Sequence, residues 1–243
     1  MKIKVLGVGD AYSKENINSS VLVESSDYKI LIDCGPTVPF SLWKSIEDWA
    51  DIDAIYLTHT HPDHVLGLSM LINRMDTLNR KKSLKILSHK DNHKVLKDLI
   101  DFGFWPKKQT KNSFVELIEA QDEGSLDLFT YKMVKTVHSV PNRGIYLSDG
   151  INSFFMTGDG VLKGDNTKML SNTTCALLEC QNLDIPAQKG HSNFEISKEI
   201  SLNNKNTLFY LYHIQDDARK EIKRKCLEVP NLSVLEPSQL ILL

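Results

Sequence analysis

The chain has 243 residues, 41% of them apolar, and 29 Lys and Arg nearly balance 31 Asp and Glu for a net charge of −2. That is ample apolar material for one large core, so a single domain over residues 1–243 is expected. The charge balance excludes a histone-like polycation, and no apolar run approaches the roughly 18 residues of a membrane span, so a cytoplasmic protein without a membrane partner is expected.

In chain order, Lys2–Leu6 alternates as a strand and Gly7-Val8-Gly9-Asp10 turns. Ser20–Glu24 and Lys29–Ile32 extend, the latter running into Asp33-Cys34-Gly35-Pro36. Gly7-x-Gly9 imitates a dinucleotide-binding fingerprint, but Tyr12 stands where its third glycine belongs and no helix pattern follows. Phe40–Trp49 has helical spacing, and Ile52–Leu57 reads as a short buried strand. Helices are predicted over Val65–Leu78 and Asp91–Phe102, with a strand at Leu84–Leu87 between them. Three strands fall between Phe114 and Val140, and Gly144–Leu147 with Ser153–Thr157 forms a hairpin about Ser148-Asp149-Gly150. Strand Cys175–Glu179, helix Phe194–Leu202, strand Thr207–Tyr212 and helix Asp217–Val229 follow. Ser233–Leu235 and Leu240–Leu243 form a final pair. Strands followed by helix–strand alternation, twice over, predict an α/β fold of two similar halves, sheets face to face and helices outside.

Cys34, Cys175, Cys180 and Cys226 show no Cys-x-x-Cys pair, so reduced, buried thiols are expected rather than a zinc finger or disulfide framework. The histidines are distributed less evenly. The strand Ala54–Leu57 ends in Thr58-His59-Thr60-His61-Pro62-Asp63-His64, four potential ligands in six positions. His59 and His61 share a face in extended chain, while Pro62 ends the strand and turns Asp63 and His64 toward another point. Two imidazoles aimed at one centre, with a carboxylate and an imidazole aimed at a second, suit a pair of divalent ions. Further ligands must come from other strand ends, where His138, Asp159 and His213 stand. His89 and His93, spaced i, i+4, lack a following Glu and read as surface residues.

The motif His59-x-His61-x-Asp63-His64, followed in order by His138, Asp159 and His213, resembles the metallo-β-lactamase superfamily, as does Ile32-Asp33-Cys34-Gly35. The resemblance implies a four-layer αββα sandwich with a dinuclear site at one edge of two mixed sheets. It implies that His59, His61 and His138 hold one ion, that Asp63, His64 and His213 hold the other, and that Asp159 bridges them. Zinc suits a His-rich set, with manganese or iron as alternatives.

Cys175-Ala-Leu-Leu-Glu179, then Gly190-His191-Ser192-Asn193 opening a helix, resembles the ribonuclease Z branch, where a Glu and a His together supply a proton to the leaving group. Against that branch, only 21 positions separate His138 from Asp159, too few for a tRNA-gripping arm. Arm-less phosphodiesterases of the superfamily fit better. The expected reaction is hydrolysis of a phosphodiester in a cyclic nucleotide or short RNA, by a water shared between two ions. Asp63 would orient that water and His191, held by Glu179, would act as general acid. Arg143, Lys163 and Lys189 are candidate phosphate contacts, and a homodimer is compatible with the family. The alternatives are a ribonuclease Z-like endonuclease and a non-catalytic nucleic-acid-binding module of the same fold.

Overall fold

The computed structural model describes residues 1–107, 113–184 and 190–243. Among them the chain forms two seven-stranded sheets. The first contains β1 (Lys2–Gly7), β2 (Ser20–Ser25), β3 (Tyr28–Ile32), β4 (Ala54–Tyr56), β5 (Leu84–Ser88), β6 (Val115–Glu119) and β14 (Leu240–Leu242), in the order β14-β1-β2-β3-β4-β5-β6. The second contains β7 (Glu123–Leu126), β8 (Phe129–Lys135), β9 (Arg143–Ser148), β10 (Ser153–Met156), β11 (Cys175–Glu179), β12 (Leu208–Tyr212) and β13 (Leu232–Val234), in the order β13-β12-β11-β10-β9-β8-β7. Both sheets are mixed: β3 to β6 run parallel, as do β10 to β13, while the hairpins are antiparallel.

The layers follow from the period-2 alternation of strands whose two faces are both apolar. On β3, Ile30 and Ile32 enter the core between the sheets while Leu31 faces outward. There it meets α1 (Val38–Ser45), α3 (Gly67–Thr77) and α4 (His93–Gly103), which supply Leu42, Leu71, Ile72, Leu96 and Ile100. On β11, Cys175 and Leu177 point inward, whereas Ala176 and Leu178 pack outward against Phe194 and Ile200 of α5 (Phe194–Asn203) and Ile222 of α6 (Asp216–Cys226). This is the expected αββα sandwich. All four cysteines are free and buried, and no helix among the described residues is long and apolar enough to cross a membrane.

Some boundaries differ from those expected. The helix predicted over Val65–Leu78 is two pieces, α2 (Pro62–Val65) and α3, so His64 lies inside a short helix. The first helix starts at Val38, where Pro39 fits the opening turn, and stops at Ile46. The last two strands do not pair with each other: β13 runs parallel beside β12, and β14 antiparallel beside β1, closing one edge of each sheet. A 3₁₀ segment, Gly164–Asn172, has no counterpart in the apolar pattern.

Candidate active site

The chain leaves β4, β8, β10, β11 and β12 at one edge of the sandwich, and the ligand candidates follow those strands. Carboxyl ends of parallel strands gather loops from distant sequence, which is why such edges host sites. Nδ1 of His61 lies 3.2 Å from Nε2 of His59 and 3.0 Å from Nε2 of His138. Beside them, Oδ2 of Asp63 stands 3.3 Å from Nε2 of His64 and 3.2 Å from Nε2 of His213. Asp159 lies between the two groups, its Oδ1 3.3 Å from His64 Nε2 and its Oδ2 3.8 Å from His59 Nε2 and 3.5 Å from His213 Nε2. His59, His61, His138 and Asp159 thus form one possible ligand group, and Asp63, His64 and His213 another.

Partners on the far side of the His138, His64 and His59 rings orient them. His138 Nδ1–H donates to the Gly190 carbonyl at 2.8 Å, which leaves Nε2 bare. His64 Nδ1 lies 2.8 Å from Asp33 Oδ2, and Thr58 Oγ1 links Asp33 to Nδ1 of His59. Asp33 is fully buried in the left-handed region at φ 60°, a conformation that a residue other than glycine adopts at a cost. His213 is left-handed too, also at φ 60°, and its amide is tied to the Val8 carbonyl.

The two groups differ electrically. Burial lowers the pKa of His59 and His61 and brings His138 down to about 4, so these imidazoles are neutral. Burial opposes charge on His213 as well, but the Asp159 carboxylate and the Asp63 hydrogen bond raise it to about 9. At His64 the charges of Asp159 and Asp33 likewise outweigh burial and hold the pKa well above the usual imidazole value. Protons therefore occupy the second group where a cation would compete for the same lone pairs. Buried His64 Nε2 and Asp159 Oδ1 face each other without a well-aligned hydrogen bond. Orphaned buried atoms on a His/Asp donor set fit divalent metal.

The loop bearing Asp159 is held on every side. Thr136 Oγ1 donates to the Asp159 carbonyl at 2.6 Å, Tyr212 Oη to the Gly158 carbonyl at 2.6 Å, and Asn142 Nδ2 to the Thr157 carbonyl at 2.9 Å. Gly160, at φ 97°, could not carry a side chain, because a Cβ would lie 2.5 Å from the Val137 carbonyl. None of Thr136, Asn142 or Tyr212 carries a sequence signal for this role; only tertiary proximity reveals it.

Glu179 and His191 meet as expected. Glu179 Oε1 is 3.2 Å from His191 Nδ1, and Oε2 accepts the amides of Ser192 at 2.6 Å and Gly160 at 3.2 Å. Asn193 caps α5, its side chain accepting from Ile196 N at 2.9 Å, so His191 is free to face the site. His191 joins His61, Asp63, Asp159 and His213 in the wall of a cavity of about 390 Å³, to which Asp10, Tyr12, Pro36, Gln181 and Gln215 also contribute. Arg143 and Lys163 do not line it: Arg143 Nη1 donates to the Asn142 carbonyl, and Lys163 borders a cleft against α5. Lys189 lies outside the described residues. His89 pairs with Asp91, and His93 reaches the Ile118 carbonyl.

Residues 1–228 match the family described as Anti-Pycsar protein Apyc1. The chain belongs to that family. One family relative, the Anti-Pycsar protein Apyc1 of Saccharibacillus brassicae, is 41% identical over 68 residues, 28% of each chain. A ribonuclease Z of Saccharolobus islandicus is 31% identical over 150 residues, 61% of this chain and 49% of that one. Each match thus spans less than half of the relative's length. Among solved structures, the metallo-β-lactamase fold protein YhfI from Bacillus subtilis superposes with a TM-score of 0.85 at 21% identity, over 99% of this chain and 98% of that one. The Apyc1 family member described here therefore has the metallo-β-lactamase fold, with His/Asp clusters able to bind metal.

Proposed function

We propose that this protein is a dinuclear, metal-dependent phosphodiesterase that hydrolyses a phosphodiester of a cyclic nucleotide or short nucleotide. One observation carries the reading: a paired acid candidate, His191 on Glu179, opens into the same cavity as both ligand groups. A thioester's thiolate leaves with little protonation, whereas an alkoxide leaving a phosphodiester needs an acid.

His59, His61 and His138 would hold one ion and Asp63, His64 and His213 the other, with Asp159 between them; zinc suits this donor set, with manganese or iron as alternatives. Bound there, two divalent ions supply charge to phosphoryl oxygens and acidify water. The chain's own residues do the rest. Asp63 orients the attacking water and accepts its proton as the new O–P bond forms. His191 gives its Nε2 proton to the ester oxygen as the P–O bond breaks. Glu179 holds the ring in place and favours its cationic form. Membership in the Apyc1 family and the ribonuclease Z relative both support a hydrolase with a nucleotide-related substrate.

The ribonuclease Z similarity favours one other reading, an RNA endonuclease. Against it, the chain between His138 and Asp159 is occupied by β9 and β10, leaving no long arm there to grip RNA. A screen of metal-loaded protein against cyclic mononucleotides, cyclic dinucleotides, linear RNA and precursor tRNA separates the two. Turnover of cyclic nucleotides supports the proposal, and cleavage of precursor tRNA alone overturns it.

A further inference from the structure

The cavity wall facing the ligand groups carries a carboxylate that the proposed chemistry does not use. Asp10 is only 7% exposed, yet it lines the cavity. Its backbone is fixed by the neighbouring strand end: Gly9 bridges Ile214 in parallel register, which sets Asp10 beside Gln215 and within reach of the charge of His213. The same loop is tied down further on, where Ser13 Oγ donates to Asp216 at 2.6 Å and Lys14 N to the same carboxylate at 2.8 Å. A carboxylate offers about four acceptor positions. Here the Tyr12 amide takes one at 3.1 Å and the Ser13 amide leans on the group as well, leaving acceptor capacity on a residue that lines the cavity.

An ionised carboxylate only accepts, so it repels a phosphate and needs a donor. On a nucleotide the donors are the sugar hydroxyls and the base N–H groups. Asp10 shares the cavity wall with His213, a ligand candidate for the reacting phosphate's ion, so the sugar adjoining that phosphate is the part that reaches it. In a 3′,5′-cyclic mononucleotide the one free sugar hydroxyl is the 2′-hydroxyl, the group that carboxylates read in dinucleotide sites. Resting on the phosphodiesterase reading above, we propose that Asp10 accepts a hydrogen bond from the ribose 2′-hydroxyl and makes the site select ribonucleotides over deoxyribonucleotides. Gln181 and Gln215, on the same wall, offer both donors and acceptors and so would hold a hydroxyl or a fluorine alike.

The test compares kcat/KM for a 3′,5′-cyclic ribonucleotide, its 2′-deoxy form and its 2′-fluoro form, with bis(p-nitrophenyl) phosphate in parallel. A hydrogen bond to a charged acceptor predicts roughly a 10- to 100-fold preference for the ribonucleotide. Fluorine cannot donate, so the 2′-fluoro substrate should be as poor as the deoxy one. Asp10→Asn keeps an oxygen for the Tyr12 amide but turns the other acceptor into a donor that a 2′-fluorine can accept from, and should bring the ribo/2′-fluoro ratio toward one. A flat ratio in the native protein overturns the inference. So does rescue by fluorine in the native protein, which would point to a glutamine amide, or an Asp10→Asn variant that keeps the full ribo/2′-fluoro ratio. The substrate series on native protein decides the matter even where a variant folds poorly. If bis(p-nitrophenyl) phosphate turns over while the ratio is flat, only this inference fails; if metal-loaded protein hydrolyses no diester, the phosphodiesterase reading fails with it.

Discussion

Glu179 Oε1 lies 3.2 Å from His191 Nδ1, and the same oxygen lies 3.9 Å from Nδ1 of His213. One buried carboxylate therefore stands behind both the acid candidate and a ligand candidate, and its other oxygen is bound by two backbone amides. Burial works against charge on His191, but the hydrogen bond and charge of Glu179, with the charge of Asp159, raise its pKa above the usual value. The shift favours the protonated acid, which is lost as pH rises through that raised pKa.

His191→Ala should lower kcat about 10²- to 10⁴-fold for diesters with alkoxide leaving groups, and about tenfold or less for nitrophenyl diesters. The alkaline limb of the pH–rate profile should disappear for the alkoxide substrates. Equal losses on both substrate types would show that His191 acts through structure rather than as an acid.

The two ligand groups should bind metal with different pH dependence. The imidazoles of His59, His61 and His138 are neutral, while His213, raised to about 9, and His64 carry protons in the metal-free protein. A cation entering the second group must displace those protons, so its occupancy falls first as pH falls. Metal content after dialysis across a pH series should drop in two steps. A calorimetric titration repeated in buffers of different ionisation enthalpy should show proton release confined to one ion. Simultaneous loss of both ions would contradict the assignment.

Asp33 is fully buried behind the site, where it anchors Nδ1 of His64 and the Thr58 hydroxyl. Asn tolerates the left-handed backbone at this position, so Asp33→Asn isolates the loss of charge from backbone strain. Metal affinity should fall about 10- to 100-fold, measured by competition with a chromogenic chelator. Unchanged affinity would remove Asp33 from the site.

Gly190 couples two functions, because its carbonyl orients His138 and the next residue is His191. It adopts φ 83°, and a Cβ there would lie 2.6 Å from the His138 Cα. Gly190→Ala should cost about 1–3 kcal/mol of stability in thermal or denaturant unfolding and weaken metal binding at the His59–His61–His138 group. A variant with native stability and full metal content would show that the loop adapts freely.

Much of this was legible in the chain itself. Alternation on β3 and β11 carries the sandwich, because strands buried on both faces must have a layer on each side. The ligand motif was legible because five imidazoles and two carboxylates at strand ends serve no packing purpose. The partners that orient them were not. Asn142 and Tyr212 look like any buried polar residue until tertiary contact sets them against the Asp159 loop. Arg143 and Lys163 stand close in sequence to His138 and Asp159, but neither lines the cavity: Arg143 bonds the Asn142 carbonyl and Lys163 borders the cleft against α5. Asp10 lay hidden in what reads as an ordinary turn, since its neighbour Gln215 is more than 200 positions away.

The central claim, a two-metal phosphodiesterase, is tested most directly by measuring bound metal and bis(p-nitrophenyl) phosphate turnover on the same samples of native protein and Asp159→Ala. The account predicts about two divalent ions per chain and turnover in the native protein, with both falling together in the variant. Native protein that carries two ions yet hydrolyses neither this diester nor cyclic nucleotides nor RNA would contradict it.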